Sequence, residues 1–254
     1  MRFFRLVLLP ALLAATARAA PPLALGDNER LVYHVSWAVL PSVGVIDVTA
    51  HAETDPAGTK LLRIVTDTRT RGVASLLLPF EARAESLFDV ATGRLVWLGE
   101  SSDKRGQSAA HRVRFDYRRH EADYASAAGD RVLPMPPGYP TDLITSLLQS
   151  RTWHLRPGDT HDALVLFEDD FYQLTIHAIG YETVTTPLGD FQTVVIEPRM
   201  EKTPPKGMFK RGSTVRVWVS LDDRHLPVRF QVDFKFGAGV ATLVDYRPPT
   251  PADR

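Results

Sequence analysis

The chain has 254 residues, 44% of them hydrophobic and 24% charged, with 30 Lys+Arg balanced against 30 Asp+Glu. That is enough apolar material to bury a core, and the neutral balance lacks the basic excess expected of a nucleic-acid-binding domain. No cysteine is present, which excludes disulfides, thiolate chemistry and a lipid anchor on a processed N-terminal Cys.

Residues 1–20 stand apart from the rest. Arg2 and Arg5 precede an apolar run over 6–15, and Ala17-Arg18-Ala19 is the small-x-small pattern read by a signal peptidase. Cleavage after Ala19 fits better than cleavage after Ala20, which would place Pro21 at the new N-terminus. Residues 1–19 are therefore expected to be a signal peptide and the mature chain to reside in the periplasm. Loss of the three signal arginines leaves 27 Lys+Arg against 30 Asp+Glu. No later apolar run approaches the roughly 20 residues that a membrane-spanning helix needs.

From residue 29 onward the dominant period is two. After a polar, proline-started lead-in over 21–28, residues 31–37 (LVYHVSW) place Leu31, Tyr33, Val35 and Trp37 on one face. Strands are predicted at 45–51 and 61–68, separated by the turn Asp55-Pro56-Ala57-Gly58. The continuous apolar run 73–78 (VASLLL) reads equally as a short helix, a buried strand or a loop packed on the sheet. Alternation resumes at 80–88, with Phe80, Ala82, Ala84 and Phe88 on one side, and continues through 95–101 and 111–118.

Residues 131–140 carry Pro134, Pro136, Pro137 and Pro140, too many fixed rings for a central strand. The spacing then predicts one helix over 142–154. Thr141 is its expected N-cap, Asp142 sits in its first turn, and Leu143, Ile144, Leu147 and Leu148 form its apolar face. Arg156-Pro157-Gly158 ends it. Strands follow at 162–168, 171–181 and 191–199. Residues 202–212 read as an exposed loop. A three-stranded meander over 214–246 comes next, predicted to keep one face wet and one buried. A proline-rich tail is expected over 248–254.

Several stretches together resemble a known family. They are ERLVYHVSWAVLPSVGVIDV at 29–48, ESLFDVATGRLVWLGES at 85–101, PPGYPTDLITSLLQSR at 136–151, TTPLGDFQTVVIEP at 185–198 and VWVSLDDRHLPVRF at 217–230. In this order they resemble the exported bacterial proteins of the domain-of-unknown-function 3108 (DUF3108) family. The resemblance implies a periplasmic, mainly antiparallel β protein. It supplies no catalytic residues to carry over.

The residues themselves offer little chemistry. The eight histidines show none of the HxH, HxxxH or HExxH spacings that bring metal ligands together, so no metal or other cofactor is expected. No GxSxG nucleophile elbow occurs. Asp169-Asp170 and Asp222-Asp223 lie between strands, where Asp favours turns. Arg112, Arg114, Arg118 and Arg119 alternate with Phe115 and Tyr117, placing the cations outward and the rings inward.

What remains is the aromatic face. Trp37, Phe80, Phe88, Trp97, Phe115 and Phe230 either fill the core between sheet faces or, where a curved sheet leaves a lumen, line a cavity for an apolar ligand. The expectation is one all-β domain over 20–247, with about a dozen antiparallel strands in a strongly curved sheet or open barrel. One helix covers an end or a face. The function expected is non-catalytic binding or carriage of a lipid or other apolar molecule in the cell envelope. The alternative is an assembly factor that grips an envelope protein partner through a sheet edge or loop.

Overall fold

The computed structural model describes residues 22–205, 209, 213–234 and 237–251. The expected signal peptide and its cleavage site, much of the predicted loop over 202–212 and the end of the tail lie outside the described residues.

Among the described residues, fifteen strands form one sheet. In chain order they are β1 (Arg30–Trp37), β2 (Leu40–Thr54), β3 (Lys60–Thr70), β4 (Phe80–Asp89), β5 (Arg94–Lys104), β6 (Gln107–Asp116), β7 (Glu121–Ser126), β8 (Gly129–Pro134), β9 (Pro140–Asp142), β10 (Thr160–Phe167), β11 (Asp170–Thr186), β12 (Gly189–Arg199), β13 (Thr214–Ser220), β14 (Pro227–Phe234) and β15 (Gly237–Arg247). Two short helices interrupt them, α1 (Val73–Leu77) and α2 (Leu143–Gln149), the latter running into a 3-10 turn at Ser150–Thr152. The run 73–78, open from sequence, is thus largely helical. The strand count exceeds the expected dozen because β7, β8 and β9 carry too few apolar side chains to show a period.

The chain starts in the middle of the sheet. β1 pairs with β2 on one side and with β15 on the other, so β2 to β8 run outward to one edge and β14 back to β9 run outward to the other. Each pairing is antiparallel except β9 with β10. A flat sheet of this size would be roughly 67 Å wide at about 4.8 Å per strand. Yet its two edge strands, β8 and β9, are separated by only residues 135–139, a link that reaches about 20 Å at most. The sheet must therefore roll up until its edges nearly meet. They meet without a ladder: Arg131 of β8 pairs with Asp169 of the β10–β11 turn at 2.7 Å, and Ser86 of β4 donates to Asp142 at 2.5 Å. The prolines that argued against a central strand sit on both edges, where a missing N–H is tolerated.

Two apolar clusters pack on the rolled sheet. The larger joins Leu31, Tyr33, Phe88, Leu98, Phe115 and others from the first half to Phe191, Trp218 and Leu243 from the second, with Leu148 of α2 among them. The smaller packs Leu174, Ile176, Val194, Ile196, Val217 and Val219 against Leu143, Leu147 and Trp153. Successive residues of β12 and β13 therefore enter different clusters: Val194 and Ile196 one, Val195 the other. This corrects the expectation of a wet face on the meander, since Trp218 and Ser220 are buried as well as Val217 and Val219.

The helix is also corrected in detail. It is shorter than 142–154, Thr141 belongs to β9, and Asp142 is the N-cap, accepting from the Thr145 backbone N–H at 2.9 Å. Only Leu148 of its four apolar residues is fully buried; Thr145 and Ser146 share that buried face. The lead-in is not polar in effect, because Ala24 and Leu25 enter the core. Behind it Glu29, 2% exposed, pairs with Arg151 at 2.7 Å. Arg151 also donates to the Ala24 carbonyl, and Tyr246 donates to Glu29 at 3.1 Å. At the other terminus, the Thr250 backbone N–H donates to the Asp27 carbonyl at 2.8 Å.

Candidate ligand-binding cleft

The rolled sheet has two ends. At one, the β4–β5 and β6–β7 turns approach α2, the segment before β9, and strands β10 and β11. Between them lies a cleft of about 890 Å³, within the volume range of small-molecule sites. Its apolar walls are Phe88, Tyr117, Tyr139, Trp153, Leu164 and Leu174, and its polar groups include Arg94, His120, Gln149 and Gln173.

Arg94 gives the cleft its sign. Its guanidinium lies 4.8 Å from the Tyr117 ring centre and 5.6 Å from that of Tyr139, close enough for cation–π attraction. Its buried Nε has no hydrogen-bond partner, and among the described residues no carboxylate pairs with it. The Tyr117 hydroxyl is already committed, donating to the Leu95 carbonyl at 2.8 Å, and burial pushes its pKa upward. At the lip, Lys202 and Asp162 neutralise one another at 2.7 Å. The hydrogen bond from Lys202 is the main influence holding the Asp162 carboxyl below the usual carboxylate range. The charge left without a counterion is therefore a cation set among rings.

Deeper in the roll, adjacent strands β5 and β6 face Glu100 against His111, with Glu100 Oε2 at 3.4 Å from Nε2. Burial pushes the Glu100 carboxyl up to about 7, and the charges of Asp142 and Glu168 push the same way. Burial lowers the His111 pKa, while its ring stacks on Tyr124 at 5.0 Å. Asp142 is fully engaged by Ser86 and the Thr145 N–H. Among the described residues, no three His, Asp or Glu side chains are placed to hold a metal ion.

The six aromatic residues singled out from sequence do not gather at one place. Phe88 lines the cleft and Phe115 is buried 6.5 Å from Tyr117. Phe230 packs on Tyr33 at 5.0 Å in the core. The Trp97 ring lies across Gly99, so closely that a Cβ there would sit 2.4 Å from it. Trp37 stacks near Phe234 at 5.4 Å at the opposite end of the molecule, and Phe80 begins β4 at that same end. Sequence reading missed Arg94, Tyr139 and the Glu100–His111 pair. Tyr117 was visible as an inward ring, but Arg94 reads as an ordinary hairpin residue after Gly93.

Comparison with known proteins agrees with this architecture. A search of curated proteins finds no match. Among solved structures, a β-barrel-like protein of domain of unknown function DUF1849 from Brucella abortus superposes with a TM-score of 0.55 at 9% identity, covering 88% of this chain and 98% of that one. A Bacteroides fragilis protein described as exported, with a YmcC-like fold, gives 0.35 at 12% identity over 90% of this chain and 100% of its own. A protein described as a lipoprotein from Parabacteroides distasonis gives 0.35 at 10% over 89% and 99%. The first shows a shared fold. The family model for proteins of unknown function DUF3108 matches residues 32–244, nearly the whole rolled sheet, and the chain belongs to that family.

Proposed function

We propose that this chain is a periplasmic binding module, a single β domain over 20–247 released from a signal peptide of 1–19, which holds an acidic amphiphile without turning it over. The observation that carries this reading is the cleft. Its walls are aromatic and aliphatic, and Arg94, which among the described residues has no carboxylate partner, can receive an anionic head while the rings take an apolar body. A lipid-like carboxylate or phosphate has that chemistry.

In this reading Arg94 supplies the charge, Tyr117 and Tyr139 hold the guanidinium over their faces, and Trp153, stacked on His161 at 4.3 Å, reports occupancy. Native mass spectrometry of protein purified from the periplasm is expected to show a co-purifying acidic small molecule. Titration with a long-chain fatty acid is expected to change Trp153 fluorescence, and Arg94→Ala to weaken the titration about tenfold or more. No retained mass and no fluorescence response to fatty acid or acidic phospholipid would defeat the reading.

A further inference from the structure

The end of the roll opposite the cleft carries exposed apolar side chains. The β1–β2 turn presents Val39, 91% exposed, and Leu40; beside it α1 presents Val73, Leu76 at 83% exposed, and Leu77. The chain leading into α1 is tied to the start of β2, since the Arg71 backbone N–H donates to the Val43 carbonyl. The facing ends of β14 and β15 join the β1–β2 turn through the Ala38 N–H, which donates to the Ala238 carbonyl, and through Trp37 against Phe234. Exported chains seldom leave so much aliphatic surface in water without use.

The surroundings of this patch are basic. Arg69 and Arg71 flank α1 on the β3 side, and Lys104 and Arg105 flank it at the β5–β6 turn. All four are exposed, and none has a carboxylate partner among the described residues. Arg105 donates to the Leu77 carbonyl at 3.2 Å, which holds a cation directly beside the apolar helix. Two acids share this end, Glu81 opposite Arg69 at the start of β4 and Asp103 beside Lys104 at the end of β5, so the four cations outnumber the carboxylates two to one. Asp103 is occupied by the Gly106 N–H and the Ser108 hydroxyl.

We infer that this end docks on a membrane surface rich in anionic phospholipid, with Val39, Leu40, Leu76 and Leu77 entering the interface and Arg71, Lys104 and Arg105 meeting the phosphates. Projecting aliphatic side chains ringed by unpaired cations are the arrangement that interfacial binding uses. A protein groove would instead need a concave or flat complement on this side, and residues exposed by more than four-fifths sit in no groove. The inference is independent of what the cleft binds.

The test is flotation of the full mature chain with vesicles of phosphatidylcholine alone and of phosphatidylcholine with about one-third phosphatidylglycerol. The wild type is expected to float with the anionic vesicles, to lose binding as salt is raised, and to float weakly with the neutral ones. Leu76→Asp with Leu77→Asp is expected to cut the bound fraction about tenfold, and Arg71→Glu with Arg105→Glu to cut it similarly. These side chains are exposed, so circular dichroism should show unchanged folding. Arg118→Glu with Arg119→Glu, at the cleft end, should leave flotation unchanged. Failure of the folded wild type to float on anionic vesicles, equal loss in the cleft-end variant, or concentration-dependent dimers abolished by Leu76→Asp would each overturn the inference.

Discussion

At the scale of single residues, the Glu100–His111 pair makes the sharpest demand. The ordinary Glu value of 4.5 is pushed up to about 7 in the folded chain, so the folded state keeps a proton that the unfolded state releases in that interval. Stability from Glu100 is therefore full below about 4.5, falls as pH rises to about 7, and is level above. A shift of this size corresponds to roughly 3 kcal/mol. His111 works in the opposite sense. Its pKa is lowered from 6.5 by burial, so its contribution is present above 6.5 and is lost as pH falls. Denaturant melts across pH 4.5 to 8 should show stability falling with pH in His111→Gln and rising with pH in Glu100→Gln. Equal slopes in the two variants would refute this assignment.

Glu29 and Arg151 are a second residue-scale case. Removing one member of a buried, hydrogen-bonded pair strands the other charge, so Arg151→Met is expected to cost about 3 to 5 kcal/mol by equilibrium unfolding. Both residues stand within stretches that carried the family resemblance. Their partnership was not legible there, because nothing in sequence links position 29 to position 151 until the sheet has rolled and α2 is seated against the lead-in.

At the scale of elements, α2 shows what periodicity can and cannot reveal. Leu143, Ile144, Leu147 and Leu148 announced a helix correctly, yet the fully buried face is Thr145, Ser146 and Leu148. A helix seated between two apolar clusters and beside an acidic N-cap buries polar side chains that a two-sided pattern would assign to solvent. Leu148→Ala is accordingly expected to cost about 2 to 5 kcal/mol, and Leu147→Ala less, by denaturant melts. Strands β7 and β8 were invisible for a different reason. Glu121–Ser126 has only Ala122 and Tyr124 facing the core, too short a run for alternation to register, and its strand conformation is imposed by pairing with β6. The cleft was hidden for a third reason: its wall residues come from six separate segments, and the decisive cation is the first residue of a strand, directly after a turn.

At the scale of the whole molecule, the curved sheet and its covering helix were legible from alternation, turn chemistry and the single helical pattern. The extent of curling was not, because it follows from the short link between β8 and β9. The sheet stays unclosed, with its edges pinned by Arg131–Asp169, a half-exposed pair that contributes no more than about 1 kcal/mol. Hydrogen exchange is therefore expected to be fastest at β8 and slowest in β12 and β13, which are buried on both faces. Strong protection of β8 amides would mean that the edges are joined more firmly than one ion pair allows.

The central position of β1 also sets an order of events during synthesis. Strands β1 to β8 can pair in succession with their sequence neighbours as they emerge, and so can β10 to β15, but among the described residues the strand ladder between the two halves is that of Arg30–Trp37 with Gly237–Arg247. The first strand made must wait for the last. Through that interval the open side of β1, with Tyr33 and Val35 on it, is an unpaired template exposed to other chains. A chain stopped before residue 237 is expected to keep a folded-looking meander yet aggregate or be degraded, and restoring residues 237–247 as a separate peptide is expected to rescue it by filling that gap.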